Sequence, residues 1–556
     1  MILGDAMRKK VREIMSKECM LYVIIAVGAA ILFCAIYDVR VLNPTYVDWL
    51  LNGGDLAQHY LGWVGYRAGD WCFPIGMTDR LAYPYKSSVI FTDSIPCFAV
   101  LIKILSPFLP ARFQYFGLWG ITCFILQGVL SARIIRNYVD SKAYVFGVSI
   151  LFTLVPTVFQ RMFGHTALAG QWVILLALEP LFAHRRYSLK KNRKIFATWM
   201  TIACVSASIH IYFILMCGII LCGYCFLDII VRKKVLKNIL LIAAYLLAAA
   251  AVVGLLGGYS SAGSVASVDG LGVHSMNLNA FINPSGYSNI LQDRNSFPGQ
   301  YEGFAYLGAG ALFLSVFSVI VALGHSDAKK NLLIHLKQLL AIGIVSVISV
   351  VIAVSPIITW GDKVLTTLEV PAFVTDIWSI FRSSGRISWI VLYIIVISSC
   401  IVTYKFLNRR TAVMALIFCL MFQAYDLRGQ LRQIHFNFSR EIVYESPLQN
   451  TAFWENIGNN NAIEHIVFTD SISPYESYVF AEWALHYDKT LSFFAFSHAN
   501  TNMFEEIVQD SLERLPETDL YIFPAESQFE YYKYDLYYYS SDGYIIGYCV
   551  PLDVSE

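Results

Sequence analysis

Residues 185–237 read RRYSLKKNRKIFATWMTIACVSASIHIYFILMCGIILCGYCFLDIIVRKKVLK. Two dense basic clusters, one over 185–194 and one at Arg232, Lys233, Lys234 and Lys237, enclose the apolar run 196–230. A bilayer crossing takes about 20 apolar residues, and Lys and Arg in short loops mark the cytoplasmic side. Both clusters therefore lie inside, and the run between them must go out and come back. It reads as two helices, turning near Ser208, Ile209 and His210. The chain is on this reading a mainly α, polytopic helical membrane protein.

The same logic extends in both directions. Further basic clusters stand at Arg8, Lys9, Lys10, Arg12 and Lys17, and at Arg133, Arg136 and Lys142. Others are Lys329, Lys330 and Lys337, then Lys405, Arg409 and Arg410. Together the clusters hold 24 of the 41 Lys and Arg, so requiring all of them inside is a strong constraint. Apolar runs predict helices near 19–37, 113–135, 143–158, 168–183, 196–209, 211–230, 239–256, 308–323, 339–354, 387–404 and 411–425. Residues 91–109 are long enough to cross, but a crossing there would invert every later loop, and Asp93, Pro96, Lys103 and Pro107 interrupt them. They read as a juxtamembrane or re-entrant helix on the outer face.

About 11 transmembrane helices result, with the N-terminus cytoplasmic and the C-terminus outside. Residues 1–18 form a basic cytoplasmic N-terminus and 19–425 the transmembrane domain. Its outer loops span 38–112, 257–307 and 355–386, with a short turn at 159–167. The stretch 257–275, rich in Gly and Ser, reads as a mobile loop. Residues 426–556 lack long apolar runs and read as a small C-terminal extracytoplasmic α/β domain. Strands are expected at 465–468, 491–496 and 519–523, helices near 475–487 and 502–515, and a hairpin around Ser540, Ser541, Asp542 and Gly543.

Composition agrees with a membrane protein. Of the 556 residues 57% are hydrophobic and only 15% charged, against about 25% charged in soluble domains. A net charge of +1 gives no ground for a nucleic-acid partner. Most of the twelve cysteines sit in apolar runs and read as small packing residues; Cys222 and Cys225 form a CxxC in mid-helix without a second pair. Cys72, Cys97 and Cys549 fall in outer segments, where a Cys72–Cys97 bridge is one option. No small-x-small cleavage site follows the first apolar run, so it reads as an uncleaved signal anchor in the plasma (inner) membrane.

Polar chemistry gathers in the outer segments. Residues 53–63, GGDLAQHYLGW, put Asp55, Gln58, His59 and Tyr60 just past a membrane helix. Asp55 either caps the following helix or works as an acid-base group. Asp93, in FTDSIP at 91–96, either caps the juxtamembrane helix or adds a second carboxylate. His165 and His210 lie at outer helix ends, where a lone His commonly makes an interfacial hydrogen bond. No HExxH or comparable ligand spacing occurs, so a metal site would have to be assembled from distant loops. Residues 381–386, FRSSGR, bring Arg382 and Arg386 to the membrane surface. Guanidinium forks suit phosphate oxygens, although arginines here could equally snorkel to head groups.

These features in this order resemble the GT-C membrane glycosyltransferases, and in particular a bacterial branch of multi-pass proteins. The shared motifs are GGDxxQHYxGW at 53–63, FTDSIP at 91–96, Gly164-His165, HxY at 210–212 and FRSSGR at 381–386, covering roughly 20–425. The resemblance implies transfer of a sugar from a polyprenyl-phosphate-linked donor on the outer membrane face. Carried over, Asp55 is the general base, and Asp93 orients the acceptor or binds a divalent cation. Arg382 and Arg386 hold the donor phosphate. Gln58, His59 and Tyr60 line the pocket, with His165 and His210 in support. The first loop lacks the Asp-x-Asp or Asp-Glu pair of many relatives, which counts against a tightly held metal.

The acceptor is then a glycan, lipid or protein of the cell envelope. Three other readings stand beside this one: a transporter or flippase of lipid-linked saccharides, a polysaccharide polymerase or ligase, and a non-catalytic assembly protein. Transporters typically place polar residues near the bilayer midplane on interrupted helices. Here they lie outside the apolar cores, which favours an enzyme.

Overall fold

The computed structural model describes residues 2–189, 192–259, 270–371, 375, 381–470, 472–496, 501–524 and 533–552. The apolar runs become helices because a backbone without water must satisfy its own hydrogen bonds. Among the described residues six helices are long and apolar enough to cross a membrane: Glu18–Tyr37, Phe116–Ile135, Ile211–Arg232, Val235–Leu255, Leu336–Val354 and Ser384–Phe406. Counting each of three bent pairs as one span gives up to nine.

The two remaining expected crossings fall short. The 168–183 segment divides into a 3-10 turn, Thr166–Ala169, and an 11-residue helix, Trp172–Phe182, that carries Pro180. The 18-residue helix Asn192–Ile209 begins on Asn192, Arg193 and Lys194, which lowers its apolarity.

The first span shows how these helices sit. Leu21, Ile25, Ala29 and Phe33 are at most 6% exposed, while Met20, Val23, Ile24, Val27 and Ile31 are at least 50% exposed. One stripe at helical spacing faces the bundle and the other faces lipid, as a hydrocarbon solvent allows. Inside, helices are tied by polar contacts: Gln127 Nε2 donates to the Tyr393 hydroxyl (2.7 Å), which donates to Gln171 Oε1 (2.7 Å).

One of the bent pairs carries chain toward the site. The helix expected over 143–158 is instead Lys142–Thr153 followed by Pro156–Met162, bent by 45°. Val155 is extended, as the residue before a proline tends to be. The short second segment delivers Arg161 and, beyond it, His165. The last span, Arg409–Asp426, likewise continues after a 57° bend as Arg428–Ser439.

Residues 91–109 hold the nine-residue helix Pro96–Ile104, about 14 Å long and far too short to cross. Of the Gly- and Ser-rich stretch 257–275, residues 260–269 lie outside those described.

The tail carries a five-stranded sheet in the order Thr490–Leu491, His465–Phe468, Asp519–Pro524, Tyr544–Tyr548, Tyr537–Ser541. The first three strands are parallel and the last two form the hairpin. Helices Pro474–His486 and Thr501–Arg514 complete it. The strand expected over 491–496 is confined to Thr490–Leu491.

That short strand leaves an open edge, and the first loop occupies it. Tyr83 N donates to Leu491 O (2.8 Å), and Leu491 N to Arg80 O (3.0 Å). The Tyr83 ring stacks on His465 with centroids 3.5 Å apart, and Arg80 pairs with Asp488 (2.9 Å). The tail is thus docked onto residues 53–83 rather than detached, and its apolar core is continuous with that of the bundle.

Candidate active site

The first loop turns through Gly53 (φ 88°) and Gly54 (φ 64°), left-handed positions that glycine adopts without strain, and enters the helix Gly54–Ala68. The helix is capped by Gly53, not by Asp55, which stands in its first turn. Asp55 is 46% exposed and its Oδ2 lies 3.1 Å from His165 Nδ1. The other ring nitrogen of His165, Nε2, lies 3.3 Å from Glu302 Oε1. One imidazole thus bridges two carboxylates.

Glu302 is the hub beneath. Its Oε2 accepts from Arg161 (2.7 Å) and from both the terminal nitrogen (2.8 Å) and Nε (2.9 Å) of Arg386. All three side chains are less than 10% exposed. Burial alone would push the Glu302 carboxyl up. The charge of Arg386, the hydrogen bond from His165 and the charge of Arg161 outweigh burial and hold it well below the usual carboxylate range.

The Arg386 guanidinium also lies over the Tyr212 ring, 4.7 Å from its centre, and the Tyr212 hydroxyl accepts from Ser383 N (2.7 Å). The two strands of chain come this close because both carry glycine. A Cβ on Gly385 would stand 2.5 Å from Gly303 Cα.

Asp93 forms the second wall. It does not cap the helix Pro96–Ile104, whose N-cap is Ile95. Instead it is left-handed (φ 50°), a conformation Asp tolerates, and Ile95 (φ 53°) pays a steric cost there as a β-branched residue. Between them Ser94 anchors the turn: its hydroxyl donates to His59 O (2.6 Å), and the Tyr115 hydroxyl donates to its carbonyl. Gly62 lets the helix approach, since a Cβ there would lie 2.3 Å from Thr92 Cβ.

Asp93 Oδ1 lies 3.5 Å from His210 Nε2. Burial raises its carboxyl to about 6, and the charges of His165 and Arg386 act against that rise. Asp93 therefore shares one electrostatic environment with His165, Arg386 and Asp55.

The structure thus joins Asp55, Asp93, His165, His210 and Arg386. His59 stands behind them, fully buried, with Nδ1 3.3 Å from Thr166 Oγ1. Burial, with the charge of His165, lowers it to about 3, so it is a neutral ring. Gln58 and Tyr60 are turned elsewhere. Gln58 is buried and donates to Ala495 O of the tail; Tyr60 is 4% exposed, and burial, ahead of the nearby charges of Arg112, Glu482, Arg67 and Asp48, pushes its hydroxyl up. Arg382 is partly exposed at the start of its segment.

The sequence alone does not single out Glu302, nor the roles of Arg161 and Tyr212. The one cue for Glu302 is that it is one of three acids in 257–307 and is set between Gly299 and Gly303.

Among the described residues no group of three or more His, Cys, Asp or Glu could hold a metal ion, and all twelve cysteines are free. The Cys72–Cys97 option is therefore not taken. A divalent cation does not fit the donors as arranged, because Glu302 is already committed to two arginines and a histidine.

The backbone of this chain is similar to that of the archaeal oligosaccharyltransferase AglB from Archaeoglobus fulgidus, solved with an inhibitory peptide and a dolichol-phosphate. The TM-score is 0.50 at 11% identity, over 96% of this chain and 75% of that one. The apo form of the Archaeoglobus fulgidus oligosaccharyltransferase gives 0.47 at 12% identity, covering 91% and 70%. The form tethered to an acceptor peptide with an NVT sequon gives 0.46 at 13%, covering 96% and 74%. The first of these defines the class: a GT-C-like membrane fold. Residues 25–428 match the family model described as a domain of unknown function, DUF6311, and the chain belongs to that family. No curated protein matches it.

Proposed function

We propose that this chain is a membrane glycosyltransferase that takes a sugar from a polyprenyl-phosphate-linked donor. It transfers that sugar to a glycan, lipid or protein acceptor of the cell envelope. The observation that carries the reading is the chain of contacts Asp55–His165–Glu302–Arg386. It links an open carboxylate from the first loop to a fixed guanidinium from the last, which are the two charges such a transfer needs. The neighbour with a bound dolichol-phosphate supports it at the level of fold.

Asp55, exposed at the rim, takes the proton of the acceptor nucleophile. The new bond forms to the anomeric carbon as the bond from that carbon to the phosphate oxygen breaks, and polyprenyl phosphate departs. In-line attack of this kind inverts the anomeric centre. Glu302 holds Arg386 by Nε and one terminal nitrogen, leaving the other terminal nitrogen for a phosphate oxygen. Arg382 supplies a second cation at the mouth. Asp93, near neutrality, orients the acceptor together with His210. No step is routed through a metal.

The site belongs on the outer face of the plasma (inner) membrane, with the N-terminus cytoplasmic and residues 426–556 outside. The basic clusters are what supports that orientation. Eleven crossings then require Trp172–Phe182 and Asn192–Ile209 to span as well. The experiment is genetic and chemical: compare lipid-linked sugars and surface glycans of an Asp55→Asn strain with those of its parent. Loss of one glycan with accumulation of one polyprenyl-phosphate sugar is expected. Unchanged glycans and lipid pools refute the proposal.

A further inference from the structure

The end of the bundle opposite the site carries a cavity of about 560 Å³, within the ~300–1,000 Å³ range of built ligand sites. It lies where the helix Ala309–Gly324 turns through 102° into Ala328–Ile334, and where Leu336–Val354 begins and Trp389–Phe406 ends. Three helices fix its placement. Ala309–Gly324 starts beside Asp426, Leu336–Val354 ends where Ser384 bonds Ser355 O, and Trp389–Phe406 starts next to Arg386. Each runs roughly 24–29 Å from the site end to the cavity end, at 1.5 Å per residue.

The lining has two characters. Phe182, Leu339, Ile342, Ile401 and Val402 give an apolar interior, and Lys329 and Lys405 stand at the rim with His325 and His335. No carboxylate lines it; Asp327 is the nearest acid in sequence. The two lining amides are committed within the protein. Gln338 Nε2 donates to Phe182 O (2.6 Å), and Asn331 donates to Asp327 O (3.0 Å). Neither lysine has an ion-pair partner among the described residues. Burial lowers His335, and the charges of Lys405 and Arg185 lower it further. The wall is continuous with lipid-facing surface: Leu323, Leu332, Leu333, Ile334 and Leu336 are all more than 50% exposed.

We propose that this cavity is a binding site for one anionic phospholipid of the leaflet at this end of the bundle. Its phosphate sits between Lys329 and Lys405 and its upper acyl chain in the apolar interior. Charge complementarity selects the occupant, because an apolar hole opening to lipid fills with lipid, and two unpaired lysines without an acid select a negative head group. The inference does not rest on the glycosyltransferase reading.

The experiment uses the full chain in mixed micelles, with native mass spectrometry reading retained lipid. Each lysine near an anionic surface is worth a roughly five-fold preference, so the pair gives about 30-fold for phosphatidylglycerol over phosphatidylcholine. Lys329→Glu with Lys405→Glu removes that preference. Both residues are exposed, so folding is not at stake. Lys233→Glu with Lys234→Glu, at the same membrane end but outside the cavity, leaves it intact. Three outcomes overturn the proposal: no preference in the wild type, an equal loss in both variant pairs (diffuse surface attraction), or equal binding of soluble glycerol phosphate, which would show that the chains are not engaged.

Discussion

Replacing Glu302 by Gln keeps the shape of the hub and deletes its charge. Arg161 and Arg386, 4% and 9% exposed, then lose their shared counter-charge in a place water hardly reaches. Breaking a buried ion pair by removing one partner costs about 3–5 kcal/mol, because the other charge stays buried. Three charge-assisted bonds of 2.7–2.9 Å go with it, and the Gln amide turns a donor toward one guanidinium. We expect Glu302→Gln to lower the unfolding free energy in detergent by that amount, seen as a lower midpoint in tryptophan fluorescence against denaturant. Sugar transfer should fall at least ~100-fold, the cost of displacing a positioned group by about 1 Å. Glu302→Asp keeps the charge and should fall between. Adding Arg161→Met to Glu302→Gln removes one uncompensated cation and should recover part of the stability but not the activity. An unchanged midpoint in Glu302→Gln, or no recovery in the double variant, would refute the argument from buried charge.

Other expectations concern the surrounding residues. Asp93 ionises at about 6 in the folded protein and at 3.8 ordinarily. Its burden on the fold is therefore absent below about pH 3.8 and complete above about pH 6. Asp93→Asn should raise the midpoint at pH 7.5, with the gain vanishing toward pH 4; a gain independent of pH contradicts this. Gly385→Ala puts a Cβ 2.5 Å from Gly303 Cα and 2.9 Å from Met276 N, and should cost about 1–3 kcal/mol, whereas Gly324→Ala meets nothing within 4 Å and should be neutral or better. Arg386→Lys keeps the charge and loses the fork, so the apparent donor requirement should rise at least ~10-fold while acceptor dependence stays put.

The sequence was most informative where structure is local. Basic clusters and apolar runs placed the helices, and the hairpin at 537–548 followed from Ser541, Asp542 and Gly543 between tyrosine-rich strands. Less legible was where helices break. Pro156 was visible, but whether it ends or merely bends a helix depends on what the chain packs against next. The span count differs for a similar reason: a neighbour can shelter the eleven residues of Trp172–Phe182, and length alone does not reveal that.

At the site, the residue types were legible, and their partners were not. Glu302 meets Arg161 across 141 positions and Arg386 across 84, with no periodicity linking them. Tyr60 and Gln58 read as pocket residues because they neighbour Asp55, but successive helix positions face different ways, and both turn from the network. The docking of the tail on Arg80 and Tyr83 left no local trace at all.

The central claim is that Asp55 and the Glu302–Arg386 pair perform sugar transfer from a lipid phosphate. The direct measurement is a time course in proteoliposomes holding a radiolabelled polyprenyl-phosphate sugar and an envelope-extract acceptor, for wild type, Asp55→Asn and Glu302→Gln. Label should leave the lipid for the acceptor in the wild type alone, with all three proteins equally inserted. Transfer by Asp55→Asn at the wild-type rate, or label that crosses the bilayer still attached to its lipid in the wild type, would contradict the account.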